Sequence, residues 1–506
     1  MDKFFKIKER GSDVKTEIFA GLTTFFAMCY IVIVNPNQVA GDGIDGWLVA
    51  KGADSGQIGQ IWNSVYIASI LVAMITTLLM GVYAKMPFAL ACGMGLNSFF
   101  CTMFVSGAFF AGVDVIRGYQ SGAVIIFLSG VVFLILSFTG LRKYIATAMP
   151  DCLKKAMPAG IGLFIAFIGF QNVDLIQDNQ YTLTQFYDFH GQITSIGKAH
   201  KDAAGNVLGK ITFMDVWKGK TEWGIPSMAG VVLAIVGLLI IAVLAKLKVK
   251  GNIIISILAT TVLYYVVTLQ TPSFDFGNIG QSFKDFGAIG ITSVFTGAAW
   301  KGAFTGANIG SVFGAVVLVM TFCLVDMFDT IGTVYGTAAQ ANMLDENGDP
   351  INLDKAMHCD SIGTMTGAVL GTSTCTTFVE SASGVSAGGR TGLTAVVVAI
   401  CFGLCLFLSP LASIVPSCAT APALIWVGVL MMKNFAKVDM EDPASAVPAF
   451  LSLIMMVLTY SISNGIGIGA ITYVLIQLFT GKFKKKDIVV TIMAIFFIAK
   501  FLLISM

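Results

Sequence analysis

From Val231 to Leu247 the chain meets no charge before Lys246, and its apolar residues run continuously, without the alternation of a half-buried strand. Runs like this recur along the chain, and they are of the length a helix needs to cross the hydrocarbon core of a bilayer. A segment in that setting must satisfy its own backbone polar groups, which leaves helices or a closed barrel. Unbroken apolar runs favour helices. Composition agrees: hydrophobic residues make up 56% of the 506 and charged residues only 12%, against roughly 25% charged in ordinary soluble domains. A single soluble core could not hide so much apolar surface. The fold class expected is therefore an all-α polytopic membrane protein.

The apolar runs predict membrane helices near 16–38, 62–83, 88–109, 121–140, 152–171, 227–246 and 252–270. A second set is predicted near 308–336, 355–370, 376–389, 391–411, 419–432, 446–462 and 465–480. That is seven plus seven, about 14 transmembrane segments in all. The first set occupies 1–270 and contains a polar insertion at 174–226, read as external with some local structure. Residues 271–306 read as a connecting loop, 307–486 as the second set, and 487–506 as an extra apolar C-terminal segment that either crosses again or lies in the interface.

Basic residues cluster at Lys3 to Lys15, Arg142 with Lys143, Lys154 with Lys155, Lys246 to Lys250, Lys433 with Lys437, and Lys482 to Lys486. Short loops rich in Lys and Arg stay cytoplasmic. The expectation is a multi-pass protein of the inner membrane with its N-terminus in the cytoplasm. The acidic connection Asp345 to Asp354 also falls inside by the count of crossings; acidic residues weigh little in the rule. Nearly all ten cysteines lie in or beside apolar helices, as small buried hydrophobes do, and none lies in the polar insertion. The basic start runs into Thr16 to Pro36, too long and too polar for the apolar core of a cleavable signal, so this stretch reads as the first membrane helix.

Each set of seven has a third segment interrupted by small and polar residues. In the first it reads Ala89-Leu-Ala-Cys-Gly-Met-Gly-Leu-Asn97, and in the second Gly371-Thr-Ser-Thr-Cys-Thr-Thr-Phe-Val-Glu380-Ser-Ala-Ser-Gly384. Irregular backbone at membrane depth is tolerated where it lines a cavity. A matched pair of such breaks points to a transporter's central site. Close helix packing through small residues is the other explanation.

Acidic residues inside apolar helices mark the same region. Asp326 and Asp329 stand three apart, on one helical face, and Glu380 sits in the second interrupted segment. A carboxylate at the bilayer centre is costly and usually faces an interior pathway. Burial and like-charge neighbours both penalise its ionised form, which is what uptake and release of a proton requires. The structural alternative is a carboxylate satisfied by Ser and Thr hydroxyls that ties two helices together. Asn97 offers an amide with donors and an acceptor, and Phe378 a stacking face on the same side as Glu380 if 372–377 is extended. The helix start after Glu380 would add free N–H groups.

Thr374-Cys-Thr-Thr-Phe-Val-Glu-Ser-Ala-Ser-Gly-Val-Ser-Ala-Gly-Gly-Arg-Thr-Gly392 resembles the signature of the azaguanine-like purine permeases, a branch of the nucleobase transporter superfamily. The resemblance extends to Thr16 to Pro36, to Gly93-Met-Gly-Leu-Asn-Ser-Phe-Phe100 and to Val325-Asp-Met-Phe-Asp-Thr-Ile-Gly-Thr333. It spans nearly the whole chain apart from 174–226. One departure stands at Ala91-Cys92, where the family usually has Ala-Pro.

The resemblance implies a 7+7 inverted repeat with broken helices in segments 3 and 10. It implies a core domain from segments 1–4 and 8–11 and a gate domain from 5–7 and 12–14. Function would be proton symport of purine bases by alternating access; a carboxylate at Glu380 suits the N1–H edge of guanine and hypoxanthine, which are expected before adenine. Carried over by motif, substrate contacts fall on Asn97, Asp326 and Glu380 with Asp329 as a neighbour; the residues themselves add Phe378 as a stacking face and Asp326, Glu380 and Asp329 for proton coupling. The partners are then a purine nucleobase, protons and membrane lipid, with room for a homodimer. No cofactor, metal or nucleic acid is expected. Two rival classes remain open: an intramembrane enzyme using Asp326 and Glu380 as an acid/base pair, and an anion carrier on the same fold, whose site should not hold those carboxylates.

Overall fold

A computed structural model describes residues 2–41, 43, 47–139, 149–179, 183–201, 207–220, 223, 225–249, 251–272, 278–306, 312–340, 343–344, 350–378, 380–408 and 414–503. The first predicted span is two helices, α1 (Val14–Met28) and α2 (Ile31–Val39). They are followed by α3 (Ser55–Leu79), the short strand β1 (Leu90–Cys92) with α4 (Met94–Phe100), α5 (Val115–Phe138) and α6 (Asp151–Gln171). The insertion contains two antiparallel hairpins, Ile176–Asn179 with Leu183–Phe186 and Ala199–Lys201 with Val207–Lys210, and the short helices Phe189–Ser195 and Phe213–Lys218. Then come α7 (Met228–Lys246) and α8 (Asn252–Thr268).

The stretch expected to be a plain connecting loop holds two helices, α9 (Asn278–Asp285) and α10 (Gly297–Thr305), which pack on α3 and α5. Neither is long enough to show as a membrane span, which is why an apolar-run reading passes over them. The second set follows as α11 (Val312–Gln340), α12 (Leu353–Leu370), β2 (Cys375–Thr377) with α13 (Ser381–Ser386), α14 (Gly392–Leu404), α15 (Ser417–Met431), α16 (Pro443–Leu458) and α17 (Ile462–Phe479). The extra C-terminal segment is a helix, α18 (Ile488–Leu503), which runs against α17 with Phe497 seated over Gly467. Arg142 with Lys143, Lys250 and residues 345–349 of the acidic connection lie outside the described residues.

Helix starts are set locally. Asp13, Asp54, Asp114, Ser227, Thr391, Asp442 and Ser461 each accept a hydrogen bond from a backbone N–H in the first turn of the helix that follows. Such caps satisfy donors that the helix itself cannot. Side chains such as Phe26, Leu239, Val262 and Ile495 point outward from the bundle. That arrangement suits a protein whose outer solvent is hydrocarbon. The chain is a multi-span membrane protein.

Packing falls into two groups of helices. In one, α1 lies on α14 and α13, α3 on α14, and α12 and α11 on α5. In the other, α6 lies on α15 and α16, α7 on α8 and α15, and α16 on α17. Two glycines permit close approaches in the first group. A Cβ on Gly392 would stand 1.9 Å from the carbonyl oxygen of Gly81, so α14 can cross the end of α3 only with no side chain there. Gly371 ends α12 at φ +85, in the left-handed region, and a Cβ there would meet Gly290 Cα at 2.6 Å.

Candidate functional site

The two interrupted segments meet. β1 and β2 pair antiparallel with Leu90 opposite Thr377, Ala91 opposite Thr376 and Cys92 opposite Cys375, and all six residues are buried. Gly93 N–H donates to Thr374 O at 2.9 Å and Phe378 N–H to Ala89 O at 3.0 Å, so the pairing continues on both sides. Two helices broken at the same depth thus satisfy each other's exposed backbone groups, which neither could do alone in an apolar medium. Cys92, standing where the resembled family has proline, takes part in this ladder.

Around the crossing the structure gathers the carboxylates. On α11, Asp326 accepts from the Thr364 hydroxyl of α12 at 2.5 Å; one turn on, the Thr330 hydroxyl donates to Asp360 of α12. The two helices therefore face each other through two rungs, with Asp and Thr exchanged between them. Asp326 and Asp360 are both fully buried, and one oxygen of each has no hydrogen-bond partner among the described residues. Thr376 Oγ1 lies 3.0 Å from Thr330 Oγ1, and Cys375 N–H donates to Thr364 Oγ1 at 3.2 Å, which ties both rungs to the crossing strand. Among the described residues no Lys, Arg or His forms an ion pair with these carboxylates.

Glu380 and Asp329 differ in being only partly buried, and they lie within electrostatic reach of each other. Tyr30, fully buried between α1 and α2, donates its hydroxyl to one oxygen of Glu380 at 2.7 Å. The half-helix α13 that follows Glu380 is pressed onto α1: a Cβ on Gly384 would collide with Thr24 and with the carbonyl of Ala20. Beyond it, Glu17 of α1, also fully buried, accepts from the backbone N–H groups of Arg390, Thr391 and Thr394 and from the Thr394 hydroxyl at 2.6 Å. The run Gly388 to Gly392 is thus a turn between two helices, with its N–H groups held by a carboxylate from the first segment. The first segment grips the tenth at both ends.

The remaining expected site residues are placed as follows. Asn97 is fully buried on α4; its Oδ1 accepts from the Ser373 hydroxyl and its Nδ2 donates to Gln38 Oε1 at 3.2 Å. Phe378 is only 4% exposed and packs in the main core, so its ring is covered in this conformation. The helix start after Glu380 offers fewer free donors than expected. Ser381 N–H already bonds to Phe378 O and Ser383 N–H to Glu380 O, because α13 is so short that its first turn folds back on the strand.

Tyr30, Gln38, Glu17 and Asp360 were not singled out in the sequence. The rule that selected Asp326, an acid within a predicted membrane helix, applies equally to Asp360. For Tyr30 and Gln38 no local signal existed, since their partners come from the tenth and third segments. A separate cavity of about 1290 Å³ opens at the end of the bundle that carries the insertion. It is lined by Asn37, Trp47, Trp62, Asn63, Phe110 and Tyr460, among others, and does not reach the carboxylates.

Comparison with known proteins adds the family. A profile described as the Permease family (Xan_ur_permease) matches residues 15–208 and 190–468. The guanine/hypoxanthine permease PbuO of Bacillus subtilis (strain 168) is 36% identical over 99% of this chain and 100% of its own length. The adenine permease AdeP of Escherichia coli (strain K12) is 33% identical over 100% of this chain and 96% of its own. Among solved structures, the transmembrane domain of the cyanobacterial bicarbonate transporter BicA superposes with TM-score 0.55 at 14% identity, covering 89% of this chain and 97% of that one. The murine anion transporter Slc26a9 in its inward-facing state gives TM-score 0.56 at 12% identity, covering 93% and 69%. At such identities the structural likeness speaks for the fold alone, an all-helical transporter fold of two inverted seven-segment repeats. Profile and full-length relatives together set the enzyme alternative aside: this chain belongs to the Permease family.

Proposed function

We propose that this permease is a proton-coupled symporter that imports purine nucleobases, guanine and hypoxanthine before adenine. The observation that carries the proposal is the pairing of a partly exposed carboxylate, Glu380, held by Tyr30, with a fully buried Asp–Thr ladder at Asp326 and Asp360 that has no basic partner. Glu380 accepts from Tyr30 through one oxygen, and in this proposal the other meets the ligand. Guanine and hypoxanthine present an N1–H donor beside O6, and guanine adds an exocyclic NH₂, so a carboxylate suits their edge. Adenine presents N1 as an acceptor and would need the acid protonated. The named relatives carry guanine/hypoxanthine or adenine in their descriptions, which agrees with a purine ligand. In this proposal Asp329 and Glu380 face the ligand, Asn97 and Phe378 shape the pocket around it, and Asp326 with Asp360 holds the coupling proton. Doubly ionised, two neighbouring buried carboxylates without a cation would be expensive.

Uptake of radiolabelled guanine by cells expressing the chain is expected to collapse on addition of a protonophore and to rise as external pH falls. Full uptake with the protonophore present, together with a requirement for sodium, would replace the proton by another coupling ion.

The orientation belongs to the same proposal. The turn from Arg390 to Gly392 lies beside Arg10 and Lys85, and Lys155 donates to Lys437 O, so several of the basic clusters share the end of the bundle opposite the insertion. That end is assigned to the cytoplasm of a cell's inner membrane, N-terminus included. The first packing group, α1–α5 with α11–α14, then acts as the core and the second, α6–α8 with α15–α17, as the gate against which it moves. Cysteines introduced at Lys198 and Lys246 check the orientation: a membrane-impermeant maleimide should label the first in intact cells and the second only after permeabilisation. The opposite pattern inverts the topology.

A further inference from the structure

Three amide side chains follow one another closely on α2, and one of them, Gln38, carries a buried NH₂ with no partner among the described residues. Asn35 donates to Ser69 Oγ and to Thr372 Oγ1, and Asn37 accepts from Trp62 Nε1 at 2.6 Å. Gln38 is 5% exposed; its Oε1 takes the hydrogen bond from Asn97, while its Nε2 is buried and has no partner among the described residues. The Ser373 hydroxyl donates to Asn97 Oδ1, the Asn97 NH₂ donates to Gln38 Oε1, and the Gln38 NH₂ is left over at the end of the row. Buried amide donors are almost always paired, and an orphan one is costly. Side chains from the third and tenth segments thus engage the carbonyl of Gln38, and no described residue receives its NH₂.

We infer that Gln38 is a specificity-determining residue of the purine site, its Nε2 donating to a ring nitrogen of the bound base, and that Asn97 and Ser373 act as positioning residues through it. This rests on the reading of Glu380 as the carboxylate that receives the N1 edge. Gln38 lies eight residues beyond Tyr30, which grips Glu380; that is about 12 Å along a helix at 1.5 Å per residue. Allowing for the reach of the Glu and Gln side chains, the span is of the order of one fused-ring base. A base with its six-membered ring at Glu380 would bring its five-membered ring toward Gln38. The acceptor there is N7 or N9, according to which of them carries the hydrogen. In this inference the ligand contact expected of Asn97 is shared with its neighbour, since Asn97 already holds Gln38 and Ser373.

The test uses deaza analogues in competition with labelled guanine uptake by the full-length protein in cells. Wild type should prefer guanine over 7-deazaguanine or over 9-deazaguanine by about tenfold, the loss of one buried hydrogen bond. Gln38→Met keeps the length of the side chain without its donor. It should weaken guanine about tenfold and bind the disfavoured analogue as well as guanine. Gln38→Glu, which puts an acceptor in place of the donor, should weaken guanine at least as much. A wild type that takes up guanine but treats all three bases alike overturns the inference. So does a discrimination that survives in either variant at equal membrane expression. A wild type that takes up no purine overturns the assignment of Glu380 instead.

Discussion

Glu380→Gln is expected to lower the affinity for guanine by about ten- to hundredfold, and adenine much less. The reason lies in which oxygen is already committed. Tyr30 donates to one oxygen of Glu380 at 2.7 Å, so a glutamine in that place keeps its carbonyl against Tyr30 and turns its NH₂ to the ligand. Guanine N1–H would then face a donor. Losing one partner of a buried charge-assisted hydrogen bond costs roughly 1.5–3 kcal/mol, which is the ten- to hundredfold stated. Adenine offers an acceptor at N1 and can meet that NH₂, so the ratio of guanine to adenine binding should fall. Radioligand binding to purified protein measures both. Wild-type guanine affinity in Glu380→Gln would move the ligand away from the tenth segment altogether.

For the ladder, the expected outcome is loss of concentrative uptake. Asp326→Asn and Asp360→Asn should each bring accumulation of guanine to the background of cells lacking the protein, while Asp329→Asn should retain part of it. Asp326 and Asp360 sit on facing helices and accept from Thr364 and Thr330 in a symmetric exchange, so removing either acid destroys the same proton site. An asparagine can keep the hydroxyl contact but not the charge, and folding should survive. Exchange of labelled for unlabelled guanine across proteoliposomes separates coupling from binding: it should persist where accumulation is lost. If Asp360→Asn accumulates guanine like wild type, the ladder is a structural tie between two helices and the coupling proton resides elsewhere.

Most of the fold was legible in the chain because membrane segments are encoded locally. A helix in hydrocarbon closes its own hydrogen bonds, so length and apolar continuity suffice to find it. The fourteen spans predicted from apolar runs correspond to α1 with α2 and the segments through α17. The exceptions have the same physical origin. α9 and α10 are too short and too polar to stand out as apolar runs, and they owe their place to packing on α3 and α5. The breaks in the third and tenth segments were visible as glycines and hydroxyls, since such residues at membrane depth are otherwise expensive.

Three acids were legible for the same reason: Asp326, Asp329 and Glu380 stood out against an apolar background by composition alone, whereas Asp360, which satisfies the same rule, was not singled out. Their partners were not. Tyr30 and Glu380 are 350 residues apart, Gln38 and Asn97 59, and Asp326 and Thr364 38. Nothing in the local pattern around Tyr30 or Gln38 distinguishes either from an ordinary helix residue. Which of them meets a carboxylate, and which is left with an idle donor, depends on how two broken segments cross and on where α1 and α2 pass them. The sequence by itself determined that the chain crosses a membrane many times and carries acids at its centre, because transfer free energy acts residue by residue. The tertiary structure alone decided that Tyr30 holds Glu380, that Asp326 shares its ladder with Asp360, and that the Asn97 amide joins Gln38 to Ser373. Those are pairings between distant groups, and in a low-dielectric interior each buried polar atom is governed by the one partner it meets.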